Sequence, residues 1–166
     1  MQYNTSSLRR QDRALPCEDA LDLLRTSEFG ILCLQDTAGG GYGVPLNYAW
    51  DGADSLYMHS APAGHKLDCL AREARATFII TGSTQLLPEQ FSTAYESVLV
   101  QGEAEVVTDD AEKVKALELL IQKLTPQESA RGAAYIERAL HATTVVRLRI
   151  RTICGKAHRP RSCRQA

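Results

Sequence analysis

The chain has 166 residues, with 19 Lys and Arg against 20 Asp and Glu and a formal net charge of -1. That length fits one domain able to bury its own core, and the charge balance gives no electrostatic reason to expect nucleic acid or an anionic membrane as partner. No apolar run approaches the roughly 18–20 residues of a membrane helix, and the polar start Met1-Gln2-Tyr3-Asn4 lacks the apolar core of a secretory leader.

Residues 1–14 read as a polar arm in which Arg9, Arg10 and Arg13 cluster. Pro16 suits the first turn of a helix, with Ala20, Leu21 and Leu24 as its apolar face and an end before Gly30. Phe29 to Leu34 has strand character, Asp36 to Gly41 is a turn with three glycines, and Tyr42 to Trp50 is a second strand. Asp51-Gly52 turns the chain into a third strand, Ser55 to His59, so these three are expected as an antiparallel meander. A short helix follows from His65 to Glu73, then a strand from Ala76 to Thr81 closed by Gly82. Ser83 to Ala94 reads as a long loop, of a length often functional in compact domains. Tyr95 to Val107 is a fifth strand, and Gly102 inside it signals a bulge or a close backbone approach.

Asp109 with Glu112 resembles a capping box. Val114, Leu117, Leu120, Ile121 and Leu124 then repeat at helical period. Pro126 ends or redirects that helix, and Ala133 to Leu140 is a further short one. Thr143 to Ile153 is a final strand with strict alternation, Val146, Leu148 and Ile150 on one face and Arg147, Arg149 and Arg151 on the other. The Arg row reads as a solvated strand face, with a phosphate or an acidic partner as the alternative. About six strands with inserted helices, joined mostly as hairpins, fit a mainly β fold and a small closed or split barrel better than a doubly wound sheet.

The five cysteines, Cys17, Cys33, Cys69, Cys154 and Cys163, are odd in number and irregularly spaced, with no CxxC. They read as reduced thiols of a cytoplasmic protein. Cys154, His158 and Cys163 match no usual zinc spacing and lack a fourth ligand. The four histidines do not pair with one another at i,i+4, and no GxSxG or GxGxxG accompanies a strand. No metal site is expected.

The most informative stretch runs from His59 to Asp68, a strand end, a Pro/Gly loop and a helix start. Free N–H groups at a helix N-terminus favour an anion. Ser60 adds a hydroxyl, Lys66 a positive charge and His65 a donor or partial charge, which together make a phosphate cradle. An ordinary strand-to-helix turn carrying a surface lysine has the same pattern. A bound cofactor that supplies the chemistry would explain how few candidate acids, bases and nucleophiles accompany it.

Four pieces together resemble a known family. They are Arg9-Arg10-Gln11-Asp12-Arg13, Gly43-Val44-Pro45-Leu46-Asn47-Tyr48, His59-Ser60 followed by Gly64-His65-Lys66-Leu67-Asp68, and Phe91 to Val98. From about Leu8 to Lys156 the chain resembles the FMN-binding split barrels of the pyridoxamine-phosphate-oxidase-like group, in particular the nitroimidazole-resistance branch. The resemblance implies a six-stranded antiparallel split barrel over residues 15–156, with a basic tail over 157–166. It implies a homodimer with FMN at the subunit interface. Ser60, His65 and Lys66 would hold the phosphate, with His59 and Gly64 also among the cofactor-binding residues. Val44, Pro45, Leu46 and Asn47 would line the isoalloxazine. Tyr95, Glu96 and Ser97 would approach the same flavin, some from the partner. The implied activity is reduction of a small electron-poor acceptor, such as a nitroaromatic, with His65 or Tyr95 as a proton source. A haem-binding or haem-degrading split barrel, with His59 or His65 as axial ligand, and a non-enzymatic flavin-binding module are the alternatives. The chain departs from the pattern at Cys69-Leu70, at Arg149 and in the basic tail.

Overall fold

Leu32, Leu34, Phe78, Ile80, Val98 and Val100 are all buried, and the residues between them are less so. This period of two forces each segment into a strand with one face toward a shared core. The computed structural model describes residues 1–159. Eight strands form one sheet: β1 (Gln2–Tyr3), β2 (Phe29–Gln35), β3 (Gly41–Asn47), β4 (Ala49–Trp50), β5 (Ser55–Ser60), β6 (Arg75–Leu87), β7 (Ser92–Val106) and β8 (Thr144–His158). Their order is β3-β2-β6-β7-β8-β5-β4, antiparallel throughout, with β1 added to β8 in parallel. Four α-helices accompany the sheet: α1 (Cys17–Thr26), α2 (His65–Arg72), α3 (Asp110–Leu124) and α4 (Ser129–Ala139). The fold is a mixed α/β one, and its antiparallel sheet curls without closing, as in a split barrel.

Among the described residues the strand count is eight, not the expected six, and the expected meander keeps both antiparallel pairings but is broken in its middle strand. The segment Tyr42 to Trp50 breaks at Tyr48, whose ring is fully buried and whose hydroxyl donates to Leu24 O at 2.6 Å. The part before the break pairs with β2 and the part after it with β5. Consecutive strands β3 and β4 therefore stand at opposite ends of the sheet order. Ser83 to Ala94 is not a loop either. Thr84–Leu87 pairs with Ser92–Tyr95, and a 3-10 turn at Pro88–Gln90 closes the hairpin. The alternation signal fails there because Ser83 to Leu86 are all exposed. Strand β8 runs on to His158 because Gly155 lets it pass close to Tyr3, Ala20 and Leu15. Strand β1 pins the start of the N-terminal arm there, and Asn4 N donates to Ile153 O at 2.9 Å.

The core holds Leu24, Leu32, Tyr48, Leu56, Met58, Phe78, Val98 and Leu148. A smaller cluster of Tyr57, Val107, Ala116 and Val145 lies under α3, on the other face of β5. The Asp109 carboxylate accepts from Glu112 N at 2.8 Å and starts α3. The Glu112 side chain does not return to complete the capping box. It accepts from Tyr57 Oη at 2.8 Å and from Arg147 Nη1 at 2.6 Å. The Arg row of β8 faces the acidic row of β7: Arg147 pairs with Glu105 at 2.6 Å, and Arg151 pairs with Glu103. It is a cross-strand ion-pair ladder on a solvated face. At Gly102 the register slips, and an added Cβ would lie 1.9 Å from Arg149 O. That position needs glycine because the two backbones meet there.

Candidate functional site

Strand alternation decides which part of His59-Ser60 faces which way. Leu56 and Met58 point into the main core, so Ser60 shares their face, while His59 shares the face of Tyr57. His59 accordingly lines an apolar cavity of about 250 Å³ with Leu117, Leu120, Ile121, Tyr135 and Ile136. It stands apart from the Ser60 side of the strand. Ser60 is half-buried, and its hydroxyl donates to Ala61 O at 2.9 Å.

Gly64 is the N-cap of α2, with φ at 139°, a region that favours glycine. No side chain caps this helix, and an added Cβ at Gly64 would meet nothing within 4 Å. Leu67 N and Asp68 N both donate to Gly64 O. The start of α2 is thus an open, uncapped N-terminus with Ser60 and half-buried Lys66 close by in the chain. These residues suit a phosphate: backbone donors, a hydroxyl, a cation and no Cβ in the way.

His65 turns from the helix start to Asp36, the first residue of the β2–β3 turn. Its Nε2 lies 2.8 Å from Asp36 Oδ2 and 3.7 Å from Cys69 Sγ. Tyr42 packs edge-on against the imidazole with ring centroids 4.8 Å apart. The Asp36 carboxyl is held below its usual range, first by the Ala38 N–H and then by His65. Reading the sequence found the turn but not this partnership, because nothing in a local pattern relates residues 29 positions apart.

Val44 and Leu46 of β3 are half-buried against the core, while Pro45 and Asn47 face outward. Asn47 Nδ2 donates to Glu28 O at 3.1 Å. Strand β3 ends the sheet order, so its outer edge has no neighbouring strand and Pro45 costs no ladder bond there.

Tyr95, Glu96 and Ser97 start the regular part of β7, opposite His158, Ala157 and Lys156 of β8. They stand at the other end of the sheet from α2. Ser97 pairs with Thr81 and Glu103 with Arg75, six residues along β6, so the two levels are ~20 Å apart at about 3.3 Å per residue. Strand β2 reaches Asp36 only beyond the Cys33–Thr77 pair, at the Arg75 end. One chain does not bring Tyr95–Ser97 to its own cradle. Burial works to raise the Tyr95 phenol, but Arg13 and Lys156 beside it outweigh that and hold it below its ordinary value. Glu96 accepts from Arg159 Nε at 2.7 Å. Arg10, Arg13, His158 and Arg159 also line a cavity of about 580 Å³ beside this end of the sheet. Sequence reading placed Arg13 in a motif and did not see that it approaches Tyr95.

The sequence profile of the pyridoxamine 5'-phosphate oxidase family matches residues 16–157. The chain belongs to this family. Its members of the pyridoxamine 5'-phosphate oxidase-like type are FMN-binding split barrels. Comparison with curated proteins finds no match. Among solved structures, a candidate 5-nitroimidazole antibiotic resistance protein from Bacteroides thetaiotaomicron is 22% identical, with a TM-score of 0.75 over 87% of this chain and 86% of that one. A conserved hypothetical protein from Mycobacterium tuberculosis is 17% identical, with a TM-score of 0.78 over 96% and 98% of the two chains. The FAD and heme binding protein from Mycobacterium smegmatis is 23% identical, with a TM-score of 0.77 over 90% of this chain and 75% of that one. At these identities the structures share the oxidase-family fold. Among the described residues, no helix is long and apolar enough to cross a membrane.

Proposed function

We propose that the protein is a homodimeric, FMN-dependent oxidoreductase of the cytoplasm that reduces a small electron-poor acceptor such as a nitroaromatic. The observation that carries this reading is the uncapped start of α2 beside Ser60 and Lys66, at the end of the sheet where the open edge strand β3 begins. Bound FMN supplies two-electron transfer between a donor and the acceptor. The backbone of α2, Ser60 and Lys66 hold its phosphate, with Gly64 giving the close approach. His65 braces the cradle through Asp36. Val44 and Leu46 offer apolar contact along β3, and the free edge around Pro45 and Asn47 offers backbone groups to the polar rim of the ring. The four described cysteines are free, in keeping with a reducing compartment.

The outer face of the sheet supports the homodimer. Pro45, Ile31, Ile79, Leu99 and Cys154 are successive register partners and form one outward apolar row across five strands. Ile31 is 39% exposed and nearby Phe29 is 59% exposed. Ser97 and Tyr95 stand on the same outward face, two and four residues from Leu99. Packing this face on a second copy covers the row and offers Tyr95 and Ser97 to the partner's flavin, with Glu96 between them contributing backbone. There Tyr95, its phenol eased toward ionisation by Arg13 and Lys156, is the proton donor for the reduced acceptor. The nitroaromatic acceptor is taken from the motifs of the sequence and from the description of the Bacteroides relative.

The test is an absorbance spectrum of the purified protein before and after addition of FMN and desalting. Retained flavin bands, followed by anaerobic oxidation of the reduced protein by a nitroimidazole, are the expected result. A Soret band in their place, or no retained flavin, would overturn the reading. Retained flavin that no nitro compound oxidises would leave a binding module.

A further inference from the structure

Asp36, His65 and Cys69 form a group in which one oxygen, one nitrogen and one sulfur all lie within 4.8 Å of one another. Two of the three are fixed by helix geometry, since His65 and Cys69 are four apart and share one face of α2. The third comes from the β2–β3 turn, held by Ala38 N donating to Asp36 Oδ1 at 2.8 Å and Gly39 N donating to Asp36 O at 3.0 Å. Arg72 ties the same turn to α2 by donating to Thr37 O. Both contacts of His65 are made by Nε2, at 2.8 Å to Asp36 and 3.7 Å to Cys69. A nucleophilic triad needs the thiol on one ring nitrogen and the carboxylate on the other. A thiol and a carboxylate converging on a single nitrogen is instead the arrangement of three ligands around a common centre.

We propose that Asp36, His65 and Cys69 bind a Zn²⁺-type divalent cation through Oδ2, Nε2 and Sγ, with a fourth position open to water. Tetrahedral zinc, with Zn–S near 2.3 Å and Zn–N near 2.0 Å, separates sulfur from nitrogen by ~3.5 Å, and the observed 3.7 Å is already close to that. The Asp36–His65 contact lengthens by a few tenths of an ångström when the shared proton gives way to the metal. Cys69 is fully buried, but the His65 and Asp36 side chains are 44% and 24% exposed, so the metal enters and keeps its water from their side. A thiolate with an imidazole selects a borderline-soft ion over Mg²⁺ or Ca²⁺. Binding takes the thiol proton from Cys69 and leaves two anionic ligands that neutralise the ion. The Arg72 guanidinium next to Asp36 therefore faces no net positive charge. Tyr42 against the ring keeps the imidazole oriented. The inference does not depend on flavin binding, since it uses neither the α2 backbone donors nor Ser60 or Lys66.

The test is Co²⁺ titration of the full chain after reduction of its thiols and removal of metals by chelation. The expected result is a thiolate-to-cobalt charge-transfer band that saturates at one ion per chain and is displaced by Zn²⁺. Asp36→Asn, at a surface turn, should weaken it at least about tenfold, and Cys69→Ser should abolish it. If Cys69→Ser does not fold, Asp36→Asn alone decides the matter. No band in the presence of excess Co²⁺ would overturn the proposal. So would a band of unchanged affinity in Asp36→Asn, because the ion would then sit on other thiols. FMN retention, measured on the same preparation, reports separately on the flavin reading.

Discussion

Lys66, half-buried in the first turn of α2, carries the one full positive charge of the proposed phosphate cradle. A charge-assisted hydrogen bond is worth about 1.5–3 kcal/mol, so Lys66→Ala should weaken FMN binding about ten- to a hundredfold, read by fluorescence titration. An unchanged dissociation constant would take Lys66 out of the cradle. Lys123 is the opposite case, a cation the fold does not welcome. Its Nζ is buried without a hydrogen-bond partner, 3.6 Å from the centroid of the Tyr48 ring, and burial lowers its pKa to about 8. The unfolded chain keeps this amine near its ordinary value of about 10.4. Between those values the unfolded state binds more protons, so stability rises as pH increases from about 8 and is lowest below it. Lys123→Met should raise the urea midpoint at neutral pH and flatten this rise. A lower midpoint would mean that the cation–π contact outweighs the burial. The proposed grouping of Ser60, Gly64 and Lys66 can be read from the sequence because it is built from neighbours in the chain. The His65–Asp36 pair was not, because it depends on how β2 and α2 dock. The turning away of His59 was readable in principle, since strand alternation alone separates it from Ser60.

Elements with one buried face and a clear period were the legible ones. Helix α3 starts where Asp109 and Glu112 put it, and β2 and β7 follow their alternation closely. Asp109 is worth a cap: Asp109→Ala should cost about 1 kcal/mol, seen as a lower denaturant midpoint with an unchanged slope. Loss of several times that would mean that the cap also holds Glu112 on Tyr57 and Arg147. The segments misread share a physical cause. The far half of β6, Ser83 to Leu86, is exposed on both faces, so no hydrophobic pattern marks it as strand. The hairpin turn after it ends in Phe91, 99% exposed and left-handed at φ 45°, with Leu86 75% exposed nearby. The break at Tyr48 was hidden because Tyr42 to Trp50 is apolar enough to run on as a single strand. Only the pull of a buried tyrosine toward Leu24 divides it.

At the scale of the whole molecule, the proposed site calls for a proposed second copy. The apolar row through Ile31, Ile79 and Leu99 is outward, and Tyr95–Ser97 lie ~20 Å along the strands from the cradle of their own chain. Ile31→Glu places a charge on that face without touching the core, and it should give monomers in sedimentation velocity with loss of retained FMN. A variant that stays dimeric and yellow would exclude this face as the interface. In the sequence a homodimer is implied only by the family resemblance, because a half-exposed isoleucine on a strand carries no mark of what covers it.

The tie at Tyr48 also sets the order in which the barrel can be made. Strands β3 and β4 leave the ribosome together but end at opposite edges of the sheet order, and every strand between them except β2 is synthesised later. Ser60 cannot pair with Thr144, nor Ser55 with Arg149, until the last described strand has emerged. Closure is therefore a late, long-range event of the kind that slows β-rich folding. Until it happens, the nascent chain exposes the unpaired edge of β5, a template for pairing with other chains. Emergence of β8, more than any local turn, is the step that covers this edge.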